Sequence, residues 1–427
     1  MDAIVVGAGV IGVTAALALQ ERGLKVMLLD GQTVAQGCSS VNAGVIYQGA
    51  FPFSTYYRIP DLPAAFFSAT APAALDWRSA PSLLSWGVQY AKATRSDMVW
   101  HGTDLLHELC RNSLHAFGQL LGPDLPELNA SGYLAVHLSD HELDRAKRLN
   151  SIRKSLGAAA RMVSNADLVA LEPAMCGLTT RHHAVGASFL EGSVHVADPA
   201  SFLSGLLEVF AQRSGIVRVD KVLGIESKGA RGAIVRCGTE NFSPRAVVLA
   251  TGAGSNKLLA DCNHRVPLLA EKGYELELDV ERGFITRPVA LPSFGLLLTP
   301  SQLGARISGL SHFGLPGFRA RPGLLLSALQ RLREIMPVLR PRSGFEVRSG
   351  ERPATPDSLP IVERVPGHPC VFVSTGHGHL GFTLSAISSS ILADMVTDGV
   401  SSYASELSSQ RFRTSTRSRA ALLQATY

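Results

Sequence analysis

Short apolar runs separated by a helical pattern open the chain. Residues 3–6 and 25–29 are continuous apolar runs, and the Ala- and Leu-rich segment 10–22 lies between them and ends at Gly23. Runs of this length without polar alternation are typical of strands buried on both faces of a parallel sheet. The pattern therefore predicts a strand–helix–strand unit at the start of the chain.

The later pattern predicts two kinds of sheet. Residues 246–250 and 370–374 are further buried runs, and each one leads into a glycine-rich turn. Segments 274–280, 295–299 and 306–309 read as strands of a second sheet. Helical patterns are predicted near residues 81–94, 102–121, 139–156, 199–212 and 322–336. Together these segments predict an α/β fold with two structural units.

The turn after the first strand carries the first candidate chemistry. Its sequence, Gly7-Ala8-Gly9-Val10-Ile11-Gly12, matches G-x-G-x-x-G. Such glycines permit a tight turn, a close approach of the backbone to a pyrophosphate, and close packing of helix on strand. The helix N-terminus attracts phosphate, and Asp30 after the second strand can accept hydrogen bonds from ribose hydroxyls. The unit predicts a bound dinucleotide, and by itself leaves FAD and NAD open.

Composition narrows the class of protein. The chain has 427 residues, 46% of them hydrophobic and 18% charged, which suits a folded protein of two domains. A net charge of +5 is mild and does not indicate nucleic acid, although it could favour anionic substrates or a membrane surface. Six scattered cysteines without a CxxC pair argue against zinc and disulfides and favour a reducing, cytoplasmic compartment. We expect neither a signal peptide nor a spanning apolar run of about 18 residues, and peripheral membrane contact stays open.

Several later motifs carry a family resemblance. They are Ser39-Ser40-Val41-Asn42-Ala43-Gly44, Ala250-Thr251-Gly252-Ala253-Gly254, Lys272-Gly273-Tyr274, Gly350-Glu351-Arg352-Pro353-Ala354-Thr355-Pro356-Asp357 and Gly376-His377-Gly378-His379-Leu380-Gly381. In this order, and with the first turn, they resemble the D-amino-acid oxidase superfamily of flavoproteins. The likeness is greatest to bacterial D-amino-acid dehydrogenases and to hydroxyproline and opine dehydrogenase subunits. Two departures are Ser-Ser in place of the family's Thr-Ser, and an acid, Glu351, before Arg352.

The resemblance implies a fold and a cofactor. It implies a Rossmann-like FAD-binding domain and a second α+β substrate domain on a mostly antiparallel sheet. No motif for attachment of flavin to a cysteine stands out, so we expect FAD to be held non-covalently. The predicted boundaries are 1–50, 146–260 and 345–400 for the FAD domain, 51–145 and 261–344 for the substrate domain, and 401–427 for a C-terminal tail. The implied FAD-binding residues are Gly7, Ala8, Gly9, Val10, Ile11, Gly12, Asp30, Ser39, Ser40, Asn42, Ala43, Gly44, Val222, Thr251, Gly252, Gly376, His377, Gly378, His379, Leu380 and Gly381.

The turn 376–381 opens a helix whose positive end could stabilise reduced flavin, the alternative being a plain strand–helix turn. Its two histidines lack a third ligand nearby and do not predict a metal site.

The resemblance also assigns the substrate site. An arginine in the Arg-Pro context, here Arg352, is expected to hold the carboxylate of an amino acid with two parallel hydrogen bonds. The alternative is a structural salt bridge with Asp357 or Glu351. Tyr274 could donate its hydroxyl to the same carboxylate or could simply pack, and His312 is a further pocket candidate.

The expected reaction is the oxidative deamination of an amino acid, in which FAD is reduced. Hydride passes from Cα of an amino acid, in the first instance a D-amino acid, to flavin N5, and the imine hydrolyses to a 2-oxo acid and ammonia. The alternatives are a dioxygen-using oxidase of glycine or sarcosine type, a flavin subunit of a larger dehydrogenase, and an NAD-binding protein without flavin. The electron acceptor stays open between a quinone, a dye-like carrier and dioxygen, as does contact with a partner subunit.

Overall fold

The computed structural model describes residues 1–32, 37–67, 71–181 and 183–413. Its strands, in chain order, are β1 Ala3–Val6, β2 Val26–Asp30, β3 Val45–Ile46, β4 Ala73–Leu75, β5 Tyr133–His137, β6 Ala160–Val163, β7 Gly186–Leu190, β8 Val194–His195, β9 Ile216–Val219, β10 Val222–Ser227, β11 Ala233–Cys237, β12 Asn241–Phe242, β13 Ala246–Leu249, β14 Leu269–Leu278, β15 Val289–Leu291, β16 Leu296–Ser301, β17 Gly304–Gly314, β18 Arg348–Ala354, β19 Ile361–Arg364 and β20 Val371–Thr375. Its α-helices are α1 Val10–Glu21, α2 Phe53–Tyr56, α3 Leu62–Phe67, α4 Ala80–Ala93, α5 Ser96–Leu121, α6 Asp140–Ser155, α7 Asn165–Leu171, α8 Cys176–Thr180, α9 Pro199–Gln212, α10 Ser255–Leu259, α11 Gly323–Ile335 and α12 Gly381–Thr397.

The first sheet has six strands in the order β19-β20-β13-β1-β2-β9. Strand β1 lies in its interior and pairs in parallel with β13 and β2, and β20 continues the parallel order beyond β13. Only β19, at the edge, runs antiparallel to its neighbour. The apolar runs that predict buried strands form its interior, because helices and the small β10-β11-β12 sheet cover its faces. The predicted Rossmann-like unit is confirmed.

Helices α1 and α12 pack together against the first sheet. Both are rich in small residues, and buried side chains of α5 and α9 join them in one core. Thr14 of α1 reaches across, with its hydroxyl 2.8 Å from the Ser389 hydroxyl and 3.2 Å from the Ser385 carbonyl oxygen of α12. These bonds satisfy polar groups in a buried helix contact, where an unpaired hydroxyl would be costly.

One helical stretch departs from the expectation that no segment could span a bilayer. Gly378–Thr397 is long and apolar enough by length and composition, and 67% of its most apolar window is buried inside the protein. Its serines and threonines interrupt the apolar run in the sequence, so the pattern did not reveal it. Because it packs against α1, it is a core helix of the first unit.

The second sheet has nine strands and is mostly antiparallel, as predicted. Its main order is β18-β14-β17-β16-β15-β5-β7-β6, and β4 pairs in parallel with β17. Helix α11 covers one face of β14 and β17 through a large apolar cluster that includes Tyr274 and Leu276. The opposite face carries a smaller cluster around Phe313 and Ala354. Both faces are covered, so β14 is buried along its whole length.

The strand pairing in the second sheet does not follow the predicted domain boundaries. Strands β6 and β7 fall within 146–260, and β18 falls within 345–400, yet all three belong to the second sheet. The reason is antiparallel pairing: β7 lies between β5 and β6, and β18 lies along β14. The sheet pairing differs from the predicted division at these strands, and the domain boundaries stay a prediction.

The segment after residue 400 is not a loose tail as far as the structure describes it. Leu407, Ser409 and Arg411 are buried, and the Leu407 carbonyl oxygen accepts a hydrogen bond of 3.0 Å from the Val362 amide of β19. Residues 414–427 of the predicted tail lie outside the described residues. Residues 407–412 therefore form a folded part of the first unit.

Candidate flavin and substrate site

The first glycine turn allows two close backbone approaches. Gly7 has φ +107°, and a Cβ there would lie 2.5 Å from the Ala250 carbonyl oxygen of the neighbouring strand. A Cβ on Gly12 would lie 1.7 Å from the Gly7 carbonyl oxygen. Neither distance is compatible with a side chain, so the glycines are required for α1 to start directly against β1 and β13. Helix α1 thereby presents its first amide groups at the carboxyl edge of the sheet.

Asp30 is fixed at the same edge. Its two carboxylate oxygens accept hydrogen bonds from the Ala8 amide at 2.7 Å and the Gln32 amide at 2.9 Å. The first bond ties the end of β2 to the glycine turn. Each oxygen keeps a lone pair, so the carboxylate can also accept hydrogen bonds from ribose hydroxyls.

The loop 39–44 lies beside the same turn, with hydroxyls that are already engaged. The Ser39 hydroxyl accepts a hydrogen bond of 2.9 Å from the Val10 amide in the first turn of α1, and the Ser40 hydroxyl donates to the Gly37 carbonyl at 2.9 Å. Asn42 accepts from the Gly44 amide at 2.8 Å. Ser39 thus reaches the predicted phosphate position, whereas Ser40 and Asn42 shape the loop. Ala43, partly exposed, completes it.

The two later turns meet because β13 and β20 are adjacent and parallel. The Thr375 hydroxyl at the end of β20 donates to the Gly252 carbonyl oxygen at 2.9 Å, next to Thr251. Gly378 and buried Leu380 lead into α12, which begins at Gly381. The structure therefore brings the turns at 7–12, 251–252 and 376–381 to one edge, where open α/β sheets bind their ligands.

Two further predicted flavin-binding residues are His377, in the turn at 376–381, and Val222, at the start of β10. His377 is buried and its Nε2 lies 3.0 Å from the Ser388 hydroxyl of α12, and burial lowers the pKa of this imidazole to about 3. It therefore anchors the turn to the helix as a neutral ring. Val222 begins β10 directly after Lys221, whose Cα would lie 3.3 Å from a Cβ on Gly31, so it neighbours the Asp30 end of β2.

Arg352 lies on β18 and pairs across the strands with Glu271 of β14. The two residues are directly opposite in the register, and Arg352 Nη1 lies 3.3 Å from Glu271 Oε1. Glu271 Oε1 also accepts a hydrogen bond of 2.6 Å from the Ser311 hydroxyl of β17. Arg352 is therefore in an ion pair, but with neither partner that the sequence suggested.

Those two suggested partners are engaged elsewhere. Glu351 accepts a hydrogen bond of 2.6 Å from Lys272 Nζ, its cross-strand neighbour on the opposite face of the sheet. Asp357 accepts from Arg411 Nε at 2.7 Å and Nη2 at 3.1 Å. Successive residues of a strand point to opposite faces, so Glu351 and Arg352 cannot share a partner on one face. Both suggested salt bridges are wrong.

Strand alternation also separates Tyr274 from Arg352. A Cβ on Gly273 would lie 2.2 Å from Arg352 Nη2, so the guanidinium lies directly over this glycine. Tyr274, the next residue, points to the other face, where its hydroxyl lies 2.8 Å from His312 Nδ1 and accepts from the Arg321 amide at 3.0 Å. The structure does not bring Tyr274 or His312 to Arg352. Both stabilise the far side of the sheet.

Three side chains lie near Arg352; the sequence carried no functional signal for Glu271 and Cys38, whereas His379 was expected to bind FAD. Glu271 has been described; the others are Cys38 and His379. A Cβ on Gly350 would lie 2.7 Å from Cys38 Cα, which places Cys38 against β18 on the Arg352 face. His379 is exposed, and its charged neighbours are Glu271 and Arg352. Only cross-strand register and loop packing bring these residues together, and neither can be read from spacing.

The ionisation states at this site follow from burial. Burial raises the pKa of the Cys38 thiol, and the nearby Arg352 charge opposes this shift without reversing it. Desolvation likewise lowers the pKa of His379, while Glu271 acts in the opposite direction. At neutral pH the thiol and the imidazole are uncharged, so Arg352 and Glu271 carry the charge at this place.

The residues of the edge fit FAD. Helix α1 offers amide donors and a positive dipole for the pyrophosphate, and Asp30 is fixed to receive a ribose. The turn at 376–381 places a second helix N-terminus, that of α12, at the same edge, between the first turn and the Arg352 face.

Comparison with known proteins decides the family. A family model described as "DAO: FAD dependent oxidoreductase" matches residues 2–395. The chain belongs to this DAO family of FAD-dependent oxidoreductases. FAD is its cofactor, and the α/β fold with a mostly antiparallel second sheet is that of the DAO family.

One relative and two solved structures are similar to this chain over nearly its whole length. A D-amino acid dehydrogenase of Dechloromonas aromatica is 27% identical over 411 residues, which cover 93% of this chain and 97% of the relative. Glycine oxidase from Bacillus cereus has a TM-score of 0.71 at 18% identity, covering 94% of this chain and 96% of its own. L-amino acid deaminase from Proteus vulgaris has a TM-score of 0.72 at 18% identity and covers 96% of both chains. The two structures share the DAO fold.

Proposed function

We propose that this DAO-family protein is an amino-acid dehydrogenase that acts on a D-amino acid. The observation that carries the proposal is the Arg352 guanidinium on β18, next to the turn at 376–381. It lies over Gly273 and forms one contact of 3.3 Å with Glu271, so its other N–H groups can bind a substrate carboxylate. A planar guanidinium binds a carboxylate through two parallel hydrogen bonds and so orients the substrate as well as attracting it.

The chemistry that FAD supplies when bound is acceptance of a hydride from the substrate Cα. The chain's own task is to hold that carbon in place. Arg352 fixes the carboxylate, and the neutral His379 and Cys38 side chains line the same face without adding charge. The resulting imine leaves the site and is hydrolysed in water to a 2-oxo acid and ammonia. No side chain has to act as a nucleophile.

The relatives support the substrate class. The D-amino acid dehydrogenase of Dechloromonas aromatica aligns over almost its whole length, which favours D-amino acids and a dehydrogenase. We further propose that FAD is held without a covalent bond. Cys38 is the described cysteine next to Arg352, and the raised pKa of its thiol leaves it a poor nucleophile.

Anaerobic reduction of the bound flavin tests the proposal. A panel of D-, L- and N-alkyl amino acids is mixed with the holoenzyme without oxygen, and bleaching of the flavin absorbance is followed. We expect D-amino acids to reduce the flavin, and L-amino acids and sarcosine to do so at least tenfold more slowly. Exclusive bleaching by L-amino acids or N-alkylglycines would refute the D-amino-acid assignment, and no bleaching by any amino acid would refute the function.

Admission of air to the reduced enzyme separates dehydrogenase from oxidase. Slow reoxidation that a quinone or dye accelerates is the expected result. Fast reoxidation with release of hydrogen peroxide would instead identify a dioxygen-using oxidase. Acid precipitation of the same preparation is expected to leave the yellow colour in the supernatant, and colour in the pellet would contradict non-covalent binding.

A further inference from the structure

Glu271 places a carboxylate directly beside the arginine that is proposed to bind the substrate carboxylate. Its side chain is 7% exposed, and the register fixes it opposite Arg352. Its Oε1 accepts from the Ser311 hydroxyl at 2.6 Å and from Arg352 Nη1 at 3.3 Å. Its Oε2 accepts no hydrogen bond from the residues that the structure describes. One oxygen of Glu271 is therefore held in place while the other stays available.

A carboxylate ligand without an amino group would leave the charges around Arg352 and Glu271 unbalanced. Arg352 and Glu271 neutralise each other, so an added carboxylate anion would leave one net negative charge in a buried site. Neighbouring groups do not compensate: His379 is neutral, Lys272 and Glu351 pair on the opposite face, and Arg348 pairs with Glu275. Burying an unbalanced charge is costly because the protein interior screens charges far less than water does.

A zwitterion removes the imbalance, because it brings its own positive charge. In an α-amino acid the ammonium and carboxylate groups are attached to one carbon. Side chains directly opposite on neighbouring strands have Cβ atoms roughly 5 Å apart. Arg352 and Glu271 are therefore close enough for one small ligand to contact both, with its carboxylate on the guanidinium and its ammonium on Glu271 Oε2.

We propose that Glu271 binds the protonated amino group of the substrate, so that the site selects α-amino acid zwitterions and rejects carboxylates that lack the amine. This proposal rests on the proposed function and names a specificity-determining residue for it. Glu271 replaces part of the hydration of the ammonium group and sets the orientation of the nitrogen around Cα. Before the hydride leaves Cα, the ammonium group must lose one proton to water, so that its lone pair can form the C=N bond of the imine. The pair thus recognises both charged groups of an amino acid with two adjacent side chains.

A pair of non-reducing ligands tests the proposal without turnover. 2-Aminoisobutyrate carries an ammonium group but has no hydrogen on Cα, and isobutyrate has the same carbon skeleton without the amine. Each is titrated into the FAD-loaded enzyme, and Kd is taken from the change in flavin absorbance. In the unmodified enzyme we expect 2-aminoisobutyrate to bind at least tenfold more tightly than isobutyrate. Equal or reversed affinities in this enzyme would overturn the proposal, whatever any variant does.

The substitution Glu271→Gln keeps the size of the side chain and removes its charge. We expect 2-aminoisobutyrate to bind at least tenfold more weakly and isobutyrate to bind more tightly, which reverses the preference. The matched control is Glu351→Gln, one strand away on the opposite face and paired with Lys272, which should leave the ratio of the two Kd values unchanged. Equal weakening of both ligands by Glu271→Gln would show a structural role and overturn the proposal.

The results of these experiments distinguish failure of the Glu271 proposal from failure of the proposed function. Failure of every amino acid to reduce the flavin would refute the function, while a reversed ligand preference in Glu271→Gln would still assign the ammonium site. Flavin reduction by amino acids with no change of preference in the variant would uphold the function and reject Glu271. The flavin spectrum and Tm of the variants confirm that each one folds and holds FAD.

Discussion

At the scale of single residues, the alternation of side chains along a strand decides which of them share a face of the second sheet with Arg352. Arg352, Glu271 and Gly273 share one face of the second sheet, and Tyr274, Lys272 and Glu351 share the other. The family resemblance and the Arg-Pro motif suggested Arg352 as the carboxylate-binding residue, and this role stays a prediction. They could not show its partner, because cross-strand register depends on which strands pair, and that information is spread over distant parts of the chain.

The substitution Arg352→Ala tests the carboxylate clamp. We expect KM to rise and turnover to fall, with kcat/KM reduced about 100-fold or more, because a charge-assisted bidentate contact is lost. FAD should remain bound, since Arg352 supports neither the first turn nor Asp30. Steady-state kinetics and the flavin spectrum provide the two measurements.

The control for this variant is Arg348→Ala. Arg348 lies four residues earlier on the same face of β18, is 52% exposed, and pairs with Glu275. Its loss should change kcat/KM by less than about threefold, because four residues of strand place it roughly 13 Å from Arg352. Similar kinetics for the two variants would argue against a special role for Arg352.

At the scale of secondary-structure elements, the segment 407–412 supports the loop that joins the two sheets at the site. Arg411 binds Asp357 through two nitrogens and donates to the Leu359 carbonyl oxygen at 2.8 Å. The same carbonyl accepts from the Thr355 hydroxyl at 2.8 Å, and this hydroxyl also approaches the Gly376 carbonyl oxygen at 3.4 Å. A segment that the sequence suggested was a tail thus holds the loop between Arg352 and the flavin turn.

The substitution Arg411→Met should destabilise the protein and loosen this loop. It leaves the Asp357 carboxylate buried without its partner, which typically costs about 3–5 kcal/mol. We expect a lower Tm and weaker FAD binding, measured by thermal unfolding and by flavin retention on dilution. Arg22→Met, which breaks the half-exposed pair with Asp394, serves as the control and should cost less than about 1 kcal/mol. A Tm for Arg411→Met equal to that of the control would contradict the role.

At the scale of the whole molecule, buried neutral histidines link stability to pH. Burial lowers the pKa of His195 and of His312 to about 4, and that of His377 to about 3. In the unfolded chain these rings titrate near pH 6.5. Between the two values the unfolded state binds more protons than the folded state, so protonation favours unfolding.

The free energy of unfolding should therefore fall as the pH drops from about 6.5 towards 4. Each histidine contributes a slope of about 1.4 kcal/mol per pH unit within that window and none well above it. Urea unfolding at several pH values measures the slope. His195→Gln, outside the Arg352 face, should remove about one histidine's share. An unchanged slope in this variant would show that the ring is protonated in the folded state.

The strands of the first sheet could be predicted from the sequence more fully than those of the second, for a physical reason. The strands β1, β2, β13 and β20 are buried on both faces, and their apolar runs reveal them directly. The strands of the second sheet mix charged and apolar positions, as in β14 with its three glutamates and one lysine. Their membership follows from pairing, so the sequence predicted a second sheet but missed β6, β7 and β18 as parts of it.

The order of strands in the first sheet has a consequence for the synthesis of the protein. Strand β1, which is made long before β13 and β20, lies in the interior of the sheet, and Ala3 pairs with Ala246 while Val247 pairs with Val371. A nascent chain on the ribosome can form β1, α1 and β2 early, but it exposes the open side of β1 until β13 and β20 emerge. The turn at 7–12 is thus synthesised long before the turn at 376–381 that lies at the same edge of the sheet. Free FAD can stabilise the complete sheet only after β20 has emerged from the ribosome, so flavin supply should affect the yield of folded protein from that point on rather than earlier in synthesis.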